Sequence, residues 1–89
     1  MSKTRIGIIG CGNISDSYFK GAARSNLIEV RACADLNLAA ARAKAELYGV
    51  TALSVADLLA DPDISIVVNL TVPMAHASVS SQILRAGKH

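Results

Sequence analysis

At 89 residues the chain has room for one small domain, and with 52% hydrophobic and 18% charged residues it reads as globular rather than disordered. A formal net charge of +2, with nine Lys and Arg residues scattered and forming no run, excludes a nucleic-acid surface. No window reaches the roughly 20 apolar residues of a membrane span, and no apolar run of signal-peptide length follows Met-Ser-Lys-Thr-Arg, so a cytoplasmic protein is expected. Cys11 and Cys33 have no metal-ligand spacing and read as reduced small residues.

Arg5 to Ile9 is apolar at nearly every position, the pattern of a strand covered on both faces. It runs into Gly10-Cys11-Gly12-Asn13-Ile14-Ser15, a glycine turn that opens a helix. The helix is expected to bury Ile14, Tyr18, Gly21, Ala22 and Ser25 and to end at Asn26. Leu27 to Asp35 is the second strand, with Ile28, Val30, Ala32 and Ala34 on one face and Glu29, Arg31 and Cys33 on the other. Strand, helix and strand in about 30 residues make a βαβ unit with a right-handed crossover.

Asn37 caps a second helix with an inner stripe of Leu38, Ala41, Ala45 and Tyr48, and Gly49 stops it. Val50 to Leu53 is a short third strand. Ser54-Val55-Ala56-Asp57 has capping-box spacing and starts a helix of about six residues, which Asp61-Pro62-Asp63 breaks. Ile64 to Leu70 is the most strand-like run of the chain. Thr71-Val72-Pro73 leads into a last helix from about Met74, with His76, Val79, Ile83 and Ala86 on its inner stripe and Gly87 at its end. The alternation predicts an α/β fold: a Rossmann-like, doubly wound parallel sheet in three layers, strand order 3-2-1-4. Ligands of such sheets sit at the switch point outside the carboxyl ends of the strands, here between strands 1 and 4.

Gly10-x-Gly12-x-x-Ser15 fits the dinucleotide fingerprint with a small hydroxyl residue in the third place. Gly10 permits the tight turn, Gly12 lets a pyrophosphate approach the backbone, and Ser15 keeps the helix close to the strand. The amides of Gly10, Cys11, Gly12, Asn13 and Ile14 and the positive end of the helix dipole then form an anion site. Asp35 follows Ser15 by 20 residues, at the carboxyl end of strand two, where a carboxylate accepts from the adenosine ribose hydroxyls. It would repel a 2′-phosphate, and Leu36-Asn37-Leu38 offers no cation, so NAD is favoured over NADP. The plainer reading of Asp35 is an acid capping the helix after Asn37. His76 lines the nicotinamide end; for His76 itself a contact with the loop or a backbone group is favoured over a catalytic role. Asn69, polar in an apolar strand, is expected to satisfy neighbouring backbone. No Ser/His/Asp constellation, metal cluster or paired carboxylate can be assembled.

Taken together, Ile6 to Ile14, Ala34-Asp35, Tyr48-Gly49-Val50, Asp61 to Ile64, Asn69 to His76 and Leu84 to His89 resemble the N-terminal domain of the glucose–fructose oxidoreductase / inositol dehydrogenase (Gfo/Idh/MocA) family. Two features depart from the family pattern: Val72 stands between Thr71 and Pro73, and His76 follows Pro73 by three residues instead of four. The resemblance implies an NAD(P)-dependent dehydrogenase or reductase acting on a sugar, cyclitol or related polyol. It also implies that Thr71, Pro73 and His76 line the nicotinamide end. Family members continue into a Glu-Lys-Pro motif carrying the expected catalytic Lys, and into a substrate domain. The 89 residues therefore read as a partial dinucleotide-binding domain without strands five and six, inactive by itself. Two other classes stay open: a non-catalytic module that forms a homo-oligomer through the exposed edge of Ile64–Leu70, and an S-adenosylmethionine methyltransferase, which leaves Thr71-x-Pro73-x-x-His76 without a purpose.

Overall fold

A computed structural model describes residues 4–12, 15–25, 27–71 and 73–89, with the side chains of 73–75 outside the description. Eight elements alternate: β1 (Thr4–Ile9), α1 (Ser15–Arg24), β2 (Ile28–Ala34), α2 (Leu38–Tyr48), β3 (Thr51–Ala52), α3 (Val55–Ala60), β4 (Ile66–Asn69) and α4 (Pro73–Arg85). The four strands form one parallel sheet in the order β3-β2-β1-β4, the expected doubly wound arrangement. Ile6, Ile8 and Ile9 of the central β1 are all buried, which is why that strand reads as continuously apolar.

The two faces carry separate cores. On one, Ile8, Cys11 and Cys33 pack with Phe19 of α1 and Ala41 and Ala45 of α2. On the other, Ile9, Ala32, Ala34 and Val67 pack with Leu58 and Leu59 of α3 and Val79 and Ile83 of α4. Gly7 serves the second core, since a Cβ there would lie 2.8 Å from Leu58 Cδ2.

Four expected faces are corrected in whole or in part. In β2 the strict alternation fails because the register with β1 shifts by one residue, from Ile6↔Val30 to Gly7↔Ala32. The extra residue is Arg31, a bulge that places Val30 with Cys33 and not with Ala32. In α1 the buried positions are Ser15, Phe19 and Ala22, whereas Tyr18 is 45% exposed. The expected stripe was phased on Ile14, outside the described residues with Asn13 and Asn26. Starting the helix at Ser15 turns the buried face by about one residue. In α2 and α4 part of each stripe is covered: Ala41, Ala45, Val79 and Ile83 are buried and Tyr48 is half-buried, stacked on Phe19, while Leu38, His76 and Ala86 are exposed. Leu38 and His76 lie in the first turns of their helices and Ala86 just past the end of α4.

Helix ends follow their local chemistry. The Asn37 side chain accepts from Ala39 N–H, and Ser54 Oγ accepts from Asp57 N–H at 3.0 Å. Gly49 takes the left-handed conformation, φ 68°. At the far end, Lys88 is buried and its ammonium donates to the carbonyls of Asp61 (2.7 Å) and Ile64 (2.6 Å). The neighbouring His89 donates to Ser65 O at 3.1 Å and accepts from Val67 N–H at 2.6 Å. That pair of bonds is a parallel bridge on the outer edge of β4, so the edge expected to lie bare is covered by the chain itself at Ile66.

Candidate functional site: a cleft at the carboxyl edge of the sheet

The carboxyl ends of β1, β2 and β4 converge on a cleft of about 280 Å³ lined by Gly10, Gly12, Asp35, Leu36, Asn37, Leu70 and Thr71. Five of these residues are sequence candidates. Leu70 and Asn37 are additional: Asn37 was legible as a cap beside Asp35, and Leu70 closes the cleft from the end of the adjoining strand.

The two turn glycines differ in what they are for. Gly10 has φ +105°, and a Cβ on it would lie 2.6 Å from the Leu70 carbonyl carbon and 2.8 Å from Thr71 N. Both the backbone conformation and the close passage of the β4 exit require glycine there. Among the described residues, its chain neighbours aside, nothing lies within 4 Å of a Cβ position on Gly12. No packing among the described residues requires a glycine at 12, so the space above it is available to something from outside the chain. Ser15 completes the turn: fully buried, it donates its hydroxyl to Gly12 O at 2.6 Å and its N–H to the same carbonyl at 3.1 Å.

Asp35 is tied to the turn as well as to its own helix. Cys11 N–H donates to Asp35 Oδ2 at 2.6 Å, and Asn37 N–H donates to Oδ1 at 2.8 Å. Asp35 therefore sits beside the glycine turn and braces the N–H of Asn37, while the cap of α2 is the Asn37 side chain and not Asp35. Gly10 N–H donates to Ala34 O at 2.8 Å. Of the amides considered for anion binding, those of Gly10 and Cys11 are therefore committed within the protein, and Asn13 and Ile14 lie outside the described residues. The Cys11 thiol donates to Ala34 O at 3.4 Å, and the neighbouring Cys33 thiol, followed by burial, pushes it up, so it stays neutral beside Asp35. Both cysteines are free and buried.

On the other side of β1, Thr71 sits where β4 leaves the sheet, and Asn69 anchors it. Asn69 Oδ1 accepts from Thr71 Oγ1 at 2.6 Å and from Thr71 N–H at 3.2 Å, while Nδ2 donates to His76 O (3.0 Å) and Ser80 Oγ (2.9 Å). The expectation that Asn69 satisfies nearby backbone holds, and its reach to α4 is wider than the sequence indicated. His76 enters this network through its carbonyl, and its exposed position is outside the cleft lining. The Pro73 side chain is outside the described residues. Leu36 is 77% exposed at the cleft mouth, beside Asp35.

A parallel strand, glycine turn and helix, with an acid at the end of the next strand, define a dinucleotide-binding Rossmann domain. Residues 4–89 match the model of the Gfo/Idh/MocA oxidoreductase family, NAD-binding Rossmann fold, and the chain belongs to that family. Among solved structures it is similar to a putative myo-inositol dehydrogenase from Sinorhizobium meliloti, with 32% identity and a TM-score of 0.89 over 97% of this chain and 26% of that one. It is also similar to a 3-ketoreductase from Actinomadura kijaniata in complex with NADP and TDP-benzene, with 29% identity and a TM-score of 0.90 over 99% of this chain and 28% of that one. Biliverdin reductase from Synechocystis, in complex with biliverdin and NADP+, shows 25% identity and a TM-score of 0.89 over 99% of this chain and 28% of that one. The chain thus spans little more than a quarter of each of these proteins. No curated protein sequence matches it. Among the described residues no helix is long and apolar enough to cross a membrane.

Proposed function

We propose that the chain is the cofactor grip of an oxidoreductase that takes a nicotinamide dinucleotide, and that the whole protein acts on a sugar, cyclitol or polyol. The observation that carries the reading is the single cleft joining Gly12, open above its Cα, to the Asp35 carboxylate. The pyrophosphate would lie over Gly12 at the amino end of α1, where helix dipole and amides favour an anion. The adenosine ribose would meet the lone pairs of Asp35 that Cys11 and Asn37 leave free, with Leu36 as an apolar wall for the base. Bound there, the cofactor supplies hydride chemistry; this chain binds and orients it, and no residue of the chain is assigned a catalytic role.

NAD is the proposed cofactor over NADP, although the Actinomadura and Synechocystis relatives are in complex with the phosphorylated form. A 2′-phosphate would stand against the Asp35 carboxylate, and Leu36, Asn37 and Leu38 provide no positive charge. Calorimetric titration with NAD, NADP and S-adenosylmethionine tests both statements. NAD binding tighter than NADP, with no heat from S-adenosylmethionine, is the expected result. The reverse cofactor order would overturn the NAD assignment, and binding of S-adenosylmethionine alone would overturn the oxidoreductase reading. NAD-dependent polyol turnover by these 89 residues would contradict the absence of a catalytic residue.

A further inference from the structure

Asn69 is the last residue of β4, opposite Ile9 in register. The orientation of its amide is set by two partners that can play only one role each. The His76 carbonyl can only accept, so it faces Nδ2; the Thr71 backbone N–H can only donate, so it faces Oδ1. A flipped amide would set donor against donor and acceptor against acceptor. With Oδ1 fixed as an acceptor, the Thr71 hydroxyl 2.6 Å away must direct its hydrogen at Asn69. Thr71 Oγ1 is left with lone pairs alone.

We propose that Asn69 is a positioning residue that turns Thr71 into an acceptor-only contact for the nucleotide, one that takes a hydroxyl hydrogen from the ribose beyond the pyrophosphate. The inference rests on the nucleotide reading above. Its geometry follows from the sheet order: β2 with Asp35 and β4 with Thr71 flank β1 and its glycine turn on opposite sides. An adenosine ribose at Asp35 therefore sends the other half of the ligand toward Thr71. A phosphate oxygen carries no hydrogen at neutral pH and is mismatched to Oγ1, whereas a ribose hydroxyl is matched.

Calorimetry with ADP and ADP-ribose tests this, because the two ligands share everything up to the pyrophosphate and differ by the second ribose. Thr71→Val is expected to weaken ADP-ribose about tenfold, the order expected for one lost hydrogen bond, while ADP stays within about twofold; Thr71→Ser should restore the wild-type ratio. Asn69→Ala and Asn69→Asp then separate orientation from mere support. Both lose the donor to His76 and Ser80, but the aspartate keeps an acceptor for the Thr71 hydroxyl. The ADP-ribose to ADP preference should survive in Asn69→Asp and be lost in Asn69→Ala. Equal losses for both ligands in Thr71→Val, or a preference lost alike in both Asn69 variants, would overturn the proposal with nucleotide binding intact. A wild-type chain that binds neither ligand would overturn the nucleotide reading itself, and this inference with it.

Discussion

The two ends of the parallel sheet are built from the same strands and treat their polar groups in opposite ways. Toward the amino end, charge meets charge: Arg5 reaches Glu29 and Asp63 at 3.5 and 3.7 Å, and Arg31 reaches Asp61 and Asp63 at 2.8 and 3.4 Å. Lys88 closes the same end by holding the carbonyls of Asp61 and Ile64. At the carboxyl end the groups are organised but not exhausted. Asp35 has two of its lone-pair sites filled by backbone, Thr71 keeps its acceptor capacity, and the space over Gly12 is open. At one end the polar groups pair with one another; at the other, on the function proposed above, they are left for a ligand. Substitutions at the two ends should accordingly separate into losses of stability and losses of binding.

The largest effect is expected at the one carboxyl-end residue that packing requires. Gly10→Ala forces a side chain into a φ of +105° and against the Leu70 backbone, and should cost ~3 kcal/mol from strain and overpacking together. Urea unfolding would show the midpoint shift; a change below the usual surface range would mean that the β4 exit can move aside. Lys88→Met should come next, at about 2 kcal/mol, because two carbonyls lose a charged donor. Its nucleotide affinity, measured where the variant is folded, should stay unchanged, which marks Lys88 as part of the closed end.

Much of this contrast is legible in the sequence alone. Gly10, Gly12 and Asp35 announce the open end because their spacing answers to a backbone path, and Gly49 and Asn37 mark helix ends for the same local reason. The closed end was not legible. Lys88 follows a helix-ending glycine like any solvated lysine, and its partners are carbonyls 24 and 27 residues earlier, brought close only by folding. The Arg31 bulge also escapes a period-two reading, since nothing local marks the residue at which a register slips. Asn69 stood out as polar in an apolar strand, but its four bonds to Thr71, His76 and Ser80 depend on where α4 docks.

Gly12→Ala is the sharpest probe of the comparison. A Cβ at 12 meets nothing among the described residues, so stability should change by less than about 0.5 kcal/mol, as at an ordinary surface site. NAD affinity should nevertheless fall by about tenfold, or ~1.4 kcal/mol, because the methyl would occupy the space where the pyrophosphate approaches. Gly10→Ala and Gly12→Ala would then form a pair two residues apart, one failing in folding and the other in binding. Unchanged affinity in Gly12→Ala would show that the open space above this residue is not where the ligand lies.

The smallest effect is the pH response of the closed end. The hydrogen bond from Arg31, with a further one from the Asp63 backbone N–H, holds Asp61 below the ordinary carboxylate value. A carboxylate lowered on folding contributes stability that is complete above its unfolded pKa and is lost as pH falls through the folded one. Arg31→Met should therefore be less stable than the wild type near neutrality, and the gap should narrow in acid as Asp61 protonates in both. The carboxyl carbon of Asp61, followed by NMR, should titrate at higher pH in the variant. Because the Arg31 side of the pair is exposed, added salt should narrow the same gap. A gap that ignores both pH and salt would assign the effect of Arg31 to the packing of its aliphatic stem at the bulge, leaving Lys88 as the main polar closure of that end.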